Sequence, residues 1–349
     1  MRKLCMIVLL IALSTVSMYA LAARPASSTK GIEGAYQYLS GQIKGIGLID
    51  SYSDSATTSY TYDNALAVMA FAAKGDYPKA RTILSTYKNN LSVTLDGGYY
   101  DVYDYVTGIG SGNVAAGPNA WLLNAINLYV YKTGDTQFSA VAQSLADFLV
   151  GLQDTDGGLF IDMYVPWKSA ENNMSGYAGL YNYGISSGNE LYIQSANLVR
   201  DFLIAECWNG ERFLRGKNDP IEVTDTQSLG VLSLGTSYAS AIYWAEYHTK
   251  CTKKIGKTSV TGFDFNNDLD TVWMEGTLQQ AMAFKKNYDD YRAGIYYGNV
   301  DKTQRKNGSF LCATNEGTTG TDWILLPVES VAPTCWYIFY NTNTNPLMR

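Results

Sequence analysis

Tyr62-Asp63-Asn64-Ala65-Leu66-Ala67-Val68-Met69-Ala70-Phe71 is the stretch that decides the fold. Past its polar opening it is apolar on nearly every side, which reads as a helix enclosed all round rather than one lying on a surface. Gly75 and Asp76 supply a turn. Tyr77 to Tyr87 then carries Ala80, Ile83 and Leu84 at helical spacing, so the partner helix has one apolar face. Such a partner covers the enclosed helix on one side only, and further copies are needed to cover the rest.

The copies are present. Gly117-Pro118-Asn119-Ala120-Trp121 opens a second apolar helix running from Leu122 to Tyr131, with Thr133-Gly134-Asp135 as turn and Phe138 to Leu152 as partner. Glu171-Asn172-Asn173 opens a third reaching Tyr183, followed by Ser187-Gly188-Asn189 and the partner Leu191 to Ala205. A fourth begins at Thr224-Asp225-Thr226-Gln227. A fifth begins at Trp273-Met274-Glu275-Gly276-Thr277 and runs to Phe284, and a sixth begins at Val331-Ala332-Pro333-Thr334-Cys335-Trp336. The openings fall near residues 62, 119, 171, 225, 274 and 333, some 49 to 59 residues apart. That interval holds two helices and two connections, and a fixed period of this size marks a repeat architecture. Six hairpins, each hiding one helix, close into an all-α double ring, the (α/α)6 barrel, with a first outer helix expected over Ile32 to Ile43. One ring of this size takes the chain from 24 to 349, which is read as a single domain.

Residues 1–23 read as a signal peptide. Arg2 and Lys3 precede an apolar run from Met6 to Val16 that is short for a membrane span, and Ala20-Leu21-Ala22 offers a cleavage site. The expectation is a secreted, periplasmic or extracellular protein, monomeric and free of the membrane once processed. A formal net charge of −6 argues against nucleic acid or an anionic membrane as partner, since both demand clustered Lys and Arg. Twenty-eight Tyr and 7 Trp suit a wet aromatic surface, each Tyr having an apolar face and a polar tip. Cys207, Cys251, Cys312 and Cys335 allow either two disulfides or four buried thiols. His248 is the only histidine, which removes Ser-His-Asp catalysis and most zinc chemistry. Asp264, Asn266, Asp268, Asp270 and Glu275 match positions of a calcium-binding loop, but Leu269 stands where the sharp turn wants glycine, so no metal is assigned. No cofactor is expected. Asn90, Asn173 and Asn307 lie in glycosylation sequons.

Four features resemble the six-hairpin glycosidases and related secreted barrel proteins over nearly the whole mature chain. They are Tyr62-Asp63-Asn64, Gly117-Pro118-Asn119-Ala120-Trp121, Gln153-Asp154-Thr155-Asp156-Gly157-Gly158 and Val272-Trp273-Met274-Glu275-Gly276-Thr277. The resemblance implies a cleft for an oligo- or polysaccharide and an inverting mechanism with two carboxylates. It carries over no assigned catalytic residue.

If the six apolar helices form the inner ring, their starts converge at one mouth. Glycoside hydrolysis needs a carboxylic acid to protonate the leaving oxygen and a carboxylate to activate water or attack the anomeric carbon. Glu171, Glu275 and Asp63 are the catalytic candidates. Glu is a poor N-cap, so capping explains the two glutamates less well than it explains the Asp and Asn residues. Candidate sugar-binding residues at the same mouth are Tyr62, Asn64, Tyr99, Tyr100, Asn119, Trp121, Trp167, Asn172, Asn173, Tyr177, Asp225, Gln227, Trp273 and Trp323. Two other readings stay open. A non-catalytic glycan-binding barrel would keep the aromatics without a carboxylate pair. A lyase acting on uronic-acid polymers would place a cationic or amide group and a tyrosine base in the cleft.

Overall fold

The structure is a computed structural model that describes residues 30–219 and 221–347; the expected signal peptide lies outside the described residues. Twelve α-helices are found among those residues. They are α1 (Gly31–Gly41), α2 (Thr61–Lys74), α3 (Tyr77–Asn89), α4 (Ala116–Thr133), α5 (Ser139–Gly151), α6 (Ala170–Ser187), α7 (Glu190–Phe202), α8 (Asp225–Leu234), α9 (Ser240–His248), α10 (Met274–Lys286), α11 (Asp290–Asp301) and α12 (Val331–Thr342).

The even-numbered helices form the inner ring. Each packs against the next, and α12 closes the circle on α2. The odd-numbered helices lie outside, with α1 covering α12 so that the first and last helices complete the sixth hairpin. Burial follows the sequence pattern. Asp63 through Ala72 of α2 is buried at every position, whereas the described buried positions of α3 are Ala80, Ile83, Leu84, Thr86 and Tyr87, along one face. Three of the inner-to-outer turns use glycine in the left-handed region, at Gly75 (φ 79°), Gly134 (φ 70°) and Gly188 (φ 68°). There the missing Cβ lets the chain stop one helix and reverse into the next. Asp76, Asn189 and Asp289 then cap α3, α7 and α11 by accepting from backbone N–H groups.

The (α/α)6 architecture is therefore as expected, with two differences of detail. The first outer helix ends at Gly41 rather than Ile43, because Ile43–Lys44 pairs antiparallel with Leu48–Ile49. The chain also carries a β-hairpin, Lys250–Ile255 against Thr258–Phe263, turning at Gly256 (φ 58°). Its β-branched Thr252, Ile255, Thr258, Val260 and Thr261 favour strand over helix. Cys207, Cys251, Cys312 and Cys335 are free thiols, and all but Cys251 are buried. Among the described residues, no helix is long and apolar enough to cross a membrane.

Candidate active site

A cavity of about 210 Å³ opens where the inner helices begin. Its walls come from the first two turns of five of them: Tyr62 of α2, Gly117, Pro118 and Trp121 of α4, Glu171 of α6, Asp225 and Leu229 of α8, and Glu275 and Gln279 of α10. Phe265, Trp273 and Trp323 add aromatic rings from the connecting loops. No Lys or Arg lines it. Pro118 sits in the first turn of α4, where its missing N–H would have had no helical partner. A Cβ on Gly117 would fall 2.4 Å from Asn172 Oδ1, so glycine is what lets α4 and α6 approach at this wall.

Three carboxyl groups face the cavity, one from each of three consecutive inner helices. Glu275 is 6% exposed. Its Oε1 accepts three hydrogen bonds: from the Tyr62 hydroxyl, from Trp336 Nε1 (3.1 Å) and from Gln279 Nε2 (3.2 Å). Oε2 is left as the oxygen that can carry a proton. Burial raises the Glu275 pKa to about 8, the Tyr62 bond opposing the rise and nearby Asp63 adding to it. Glu171 is raised to about 7, chiefly by burial, while Trp121 Nε1 donates to its Oε1 at 2.9 Å and pulls the other way. Asp225 is raised to about 6 by burial, held back by the Thr226 N–H and the charge of Arg215. Asp225 adds to the rise at both Glu171 and Glu275. It is the middle carboxylate, as α8 is the middle helix, and the two glutamates stand on either side of it.

Asp63 does not line this cavity. It is buried behind it at 2% exposure, with its pKa raised to about 7 by burial against the opposing hydrogen bond with Ser51. It acts on Glu275 through charge.

The expected sugar-binding residues divide sharply. Tyr62, Trp121, Asp225, Trp273 and Trp323 line the cavity beside Glu171 and Glu275. Asn64, Asn119, Asn173 and Gln227 do not. Each is fully buried, accepts from one incoming backbone N–H, and donates back to the carbonyl four residues earlier. Asn64 accepts from Ile49 N and donates to Tyr60 O; Asn119 accepts from Tyr99 N and donates to Ala115 O. Asn173 accepts from Leu159 N and donates to Ser169 O; Gln227 accepts from Phe213 N and donates to Val223 O. Thr277 repeats the device between Phe263 N and Trp273 O, and Thr334 keeps its bond to Ser330 O. These side chains clamp loops to helix starts. Asn173, fully buried with its amide donating to Leu159 O and Ser169 O, is closed to glycosylation in the folded chain.

The remaining candidates also lie elsewhere. Tyr99 packs on Tyr87 in the core at 5.1 Å between ring centroids, and Tyr177 lies against Tyr181. Trp167 carries the Arg215 guanidinium on its ring at 5.2 Å. Asn172 packs behind Gly117. Tyr100 opens onto a separate depression with Asp162 and Tyr164. Residues not anticipated at the site are Leu229, Phe265, Gln279 and, behind Glu275, Trp336. A helical repeat could have found two of them: Leu229 and Gln279 stand four residues after Asp225 and Glu275, on the same helix faces.

Asp264, Asp268 and Asp270 bring carboxylate oxygens within 4.8 Å of one another, and Leu269 takes φ 58° where glycine was expected. These oxygens accept from Phe265 N, Thr271 N, Asp270 N and both the backbone and hydroxyl of Thr318, so the loop is ordered by its own hydrogen bonds.

No protein-family model and no curated protein matches this chain. Solved structures do. A glycosidase variant in complex with glucose superposes with a TM-score of 0.69 at 10% identity, over 91% of this chain and 97% of that one. A D-mannose isomerase gives 0.66 at 11% identity over 93% and 99%. A family 76 glycoside hydrolase (mannosidase) from Bacteroides thetaiotaomicron gives 0.58 at 12% identity over 90% and 98%. These likenesses concern the fold: the chain is an (α/α)6 barrel of six helical hairpins.

Proposed function

We propose that the protein is a secreted glycoside hydrolase acting on a neutral oligo- or polysaccharide through Glu275 and Glu171. The observation that carries this reading is the convergence of three carboxyl groups from consecutive inner helices on one aromatic-walled cavity without a lining cation. The glycosidase and mannosidase neighbours support it at the level of fold.

Glu275 is the general acid. Burial keeps it protonated at neutral pH, and three donors on Oε1 leave Oε2 to hold the proton for the departing oxygen. Glu171, across Asp225, is the carboxylate that activates water in an inverting mechanism. Asp225 has the lowest pKa of the three and is ionised at neutral pH. Its charge lies where positive charge develops on the sugar ring. Tyr62 and Trp336 position Glu275; Trp273 and Trp323 offer ring faces to the sugar.

An elimination on uronic acids loses support because no Lys or Arg lines the cavity and because its amide and its tyrosine, Gln279 and Tyr62, both donate to Glu275 Oε1. The test is sugar release from α-glucans and α-mannans by the wild type, Glu171→Gln and Glu275→Gln, with ultraviolet absorbance of an unsaturated product followed in parallel. Release abolished in both variants without new absorbance is the expected result, with the product's anomeric configuration inverted in proton NMR. Release that survives either substitution sinks the assignment, and new absorbance would mean elimination.

A further inference from the structure

A second cavity, of about 310 Å³, abuts the first. Trp323 lines both, and it is 44% exposed. The far side is built from Tyr52 and Tyr60, an edge-to-face pair 5.9 Å apart, with Asp54 at the same cavity. Tyr60 is the residue immediately before α2 and is 39% exposed; two residues later Tyr62 faces the carboxyl cavity and holds Glu275. One helix start thus walls both spaces.

Aromatic rings line both cavities. Trp273 lies deep at 3% exposure, Phe265 stands against it at 5.2 Å, and Trp323 meets Phe265 edge-on at 5.9 Å; Trp323 also shares the second cavity with Tyr60 and Tyr52. Two of these rings, Trp323 at 44% and Tyr60 at 39%, stand open to solvent at the walls of the second cavity. Rings with polar tips beside a carboxylate suit hydroxyl-rich, uncharged sugars, and no Lys or Arg lines this cavity either.

Resting on the hydrolase reading for the identity of the first cavity, we infer that the Tyr52–Tyr60–Trp323 cavity is a second sugar subsite. The natural substrate is then an uncharged oligosaccharide chain that passes Trp323, with at least one sugar on each side of it. Trp323 is the partition, and Tyr60 is the residue that rewards chain length.

The test separates binding from turnover. Affinities of maltooligosaccharides and α-1,6-mannooligosaccharides, from the monosaccharide to the hexasaccharide, are measured by calorimetry on Glu275→Gln and on Glu275→Gln/Tyr60→Ala. Thermal melts confirm that both are folded, and hydrolysis of the same series is followed with wild type and Tyr60→Ala. The expected result is a gain of about tenfold or more on lengthening the chain beyond one sugar, largely lost with Tyr60, as removal of one stacking ring implies. A gain of equal size with and without Tyr60 overturns the subsite while leaving the carboxylate assignment standing. Length-dependent binding that needs Tyr60, with no hydrolysis by the wild type, upholds the subsite and overturns the hydrolase reading. Binding of none of these sugars overturns the subsite.

Discussion

At the scale of single residues, the site turns on how one oxygen of Glu275 is held. Tyr62, Trp336 and Gln279 all donate to Oε1, and each such bond favours the ionised form that burial opposes. Removing the Tyr62 hydroxyl therefore raises the Glu275 pKa further. In a kcat/KM profile of the wild type, the acid limb is expected near pH 7 from Glu171 and the alkaline limb near pH 8 from Glu275, the three carboxyls titrating as a coupled set. In Tyr62→Phe the alkaline limb moves to higher pH; an unmoved or lowered limb would show that Tyr62 does not hold the acid. Glu275→Gln should lower kcat by about 10²–10⁴-fold, the usual worth of a positioned acid. Steady-state kinetics on an unactivated glycoside, set beside an activated aryl glycoside, checks this. Such a leaving group needs little protonation, so it should recover much of the loss.

At the scale of the helix, a two-residue offset separates function from architecture. Tyr62, Gly117, Glu171, Asp225 and Glu275 face the cavity, and Asn64, Asn119, Asn173, Gln227 and Thr277, each two positions later, clamp a loop. Residues two apart on an α-helix are turned from one another by roughly 200°. A start that aims one side chain into the ring therefore aims the other away from it. This is why polar residues at the same helix starts were legible as a group while half of them were misplaced: composition marks the start, and only the helical phase tells the sides apart. The clamps make a discriminating prediction. Asn173→Ala strands the buried Leu159 N–H and carbonyl, at about 1–3 kcal/mol for each unsatisfied group, so chemical denaturation should give a loss on the order of 2–6 kcal/mol. The folded fraction should keep its kcat/KM. Lost kcat/KM at unchanged stability would return Asn173 to the binding site.

At the scale of the whole molecule, buried acids set the pH range of the fold. Glu275 is raised to about 8, Glu171, Asp63 and Asp264 to about 7, and Asp225 and Asp101 to about 6, in each case chiefly by burial. A carboxyl with a raised folded-state pKa binds its proton more tightly folded than unfolded. Its contribution is present in full below the ordinary carboxylate range and lost as pH rises to the folded value. Asp104 and Asp156, lowered to about 2 by hydrogen bonds and by Lys168 and Lys217, protect the opposite side until strongly acid pH. The melting temperature should therefore peak at mildly acid pH and fall between about pH 5 and pH 8. In Glu275→Gln the fall should be shallower, since the buried group that resists ionising is gone. Scanning calorimetry across that range is the check, and a melting temperature that rises toward pH 8 would contradict burial of these acids.

The sequence by itself determined the ring. Helices apolar on all sides cannot exist singly in water, and six of them at a regular period bury one another when their hairpins close into a ring. It also determined that Glu171 and Glu275 stand at the start of inner helices, because glutamate in a first turn of an enclosed helix is easy to place along the chain. Only the tertiary structure decided which start residues share a cavity, because that depends on the rotation of each helix about its own axis, which is set by packing against two neighbours. It likewise brought Asp225 between the glutamates, put Asp63 behind them, and laid Trp323 from a loop some fifty residues beyond Glu275 between two cavities. Loop conformation answers to contacts distant along the chain, and no local pattern encodes it.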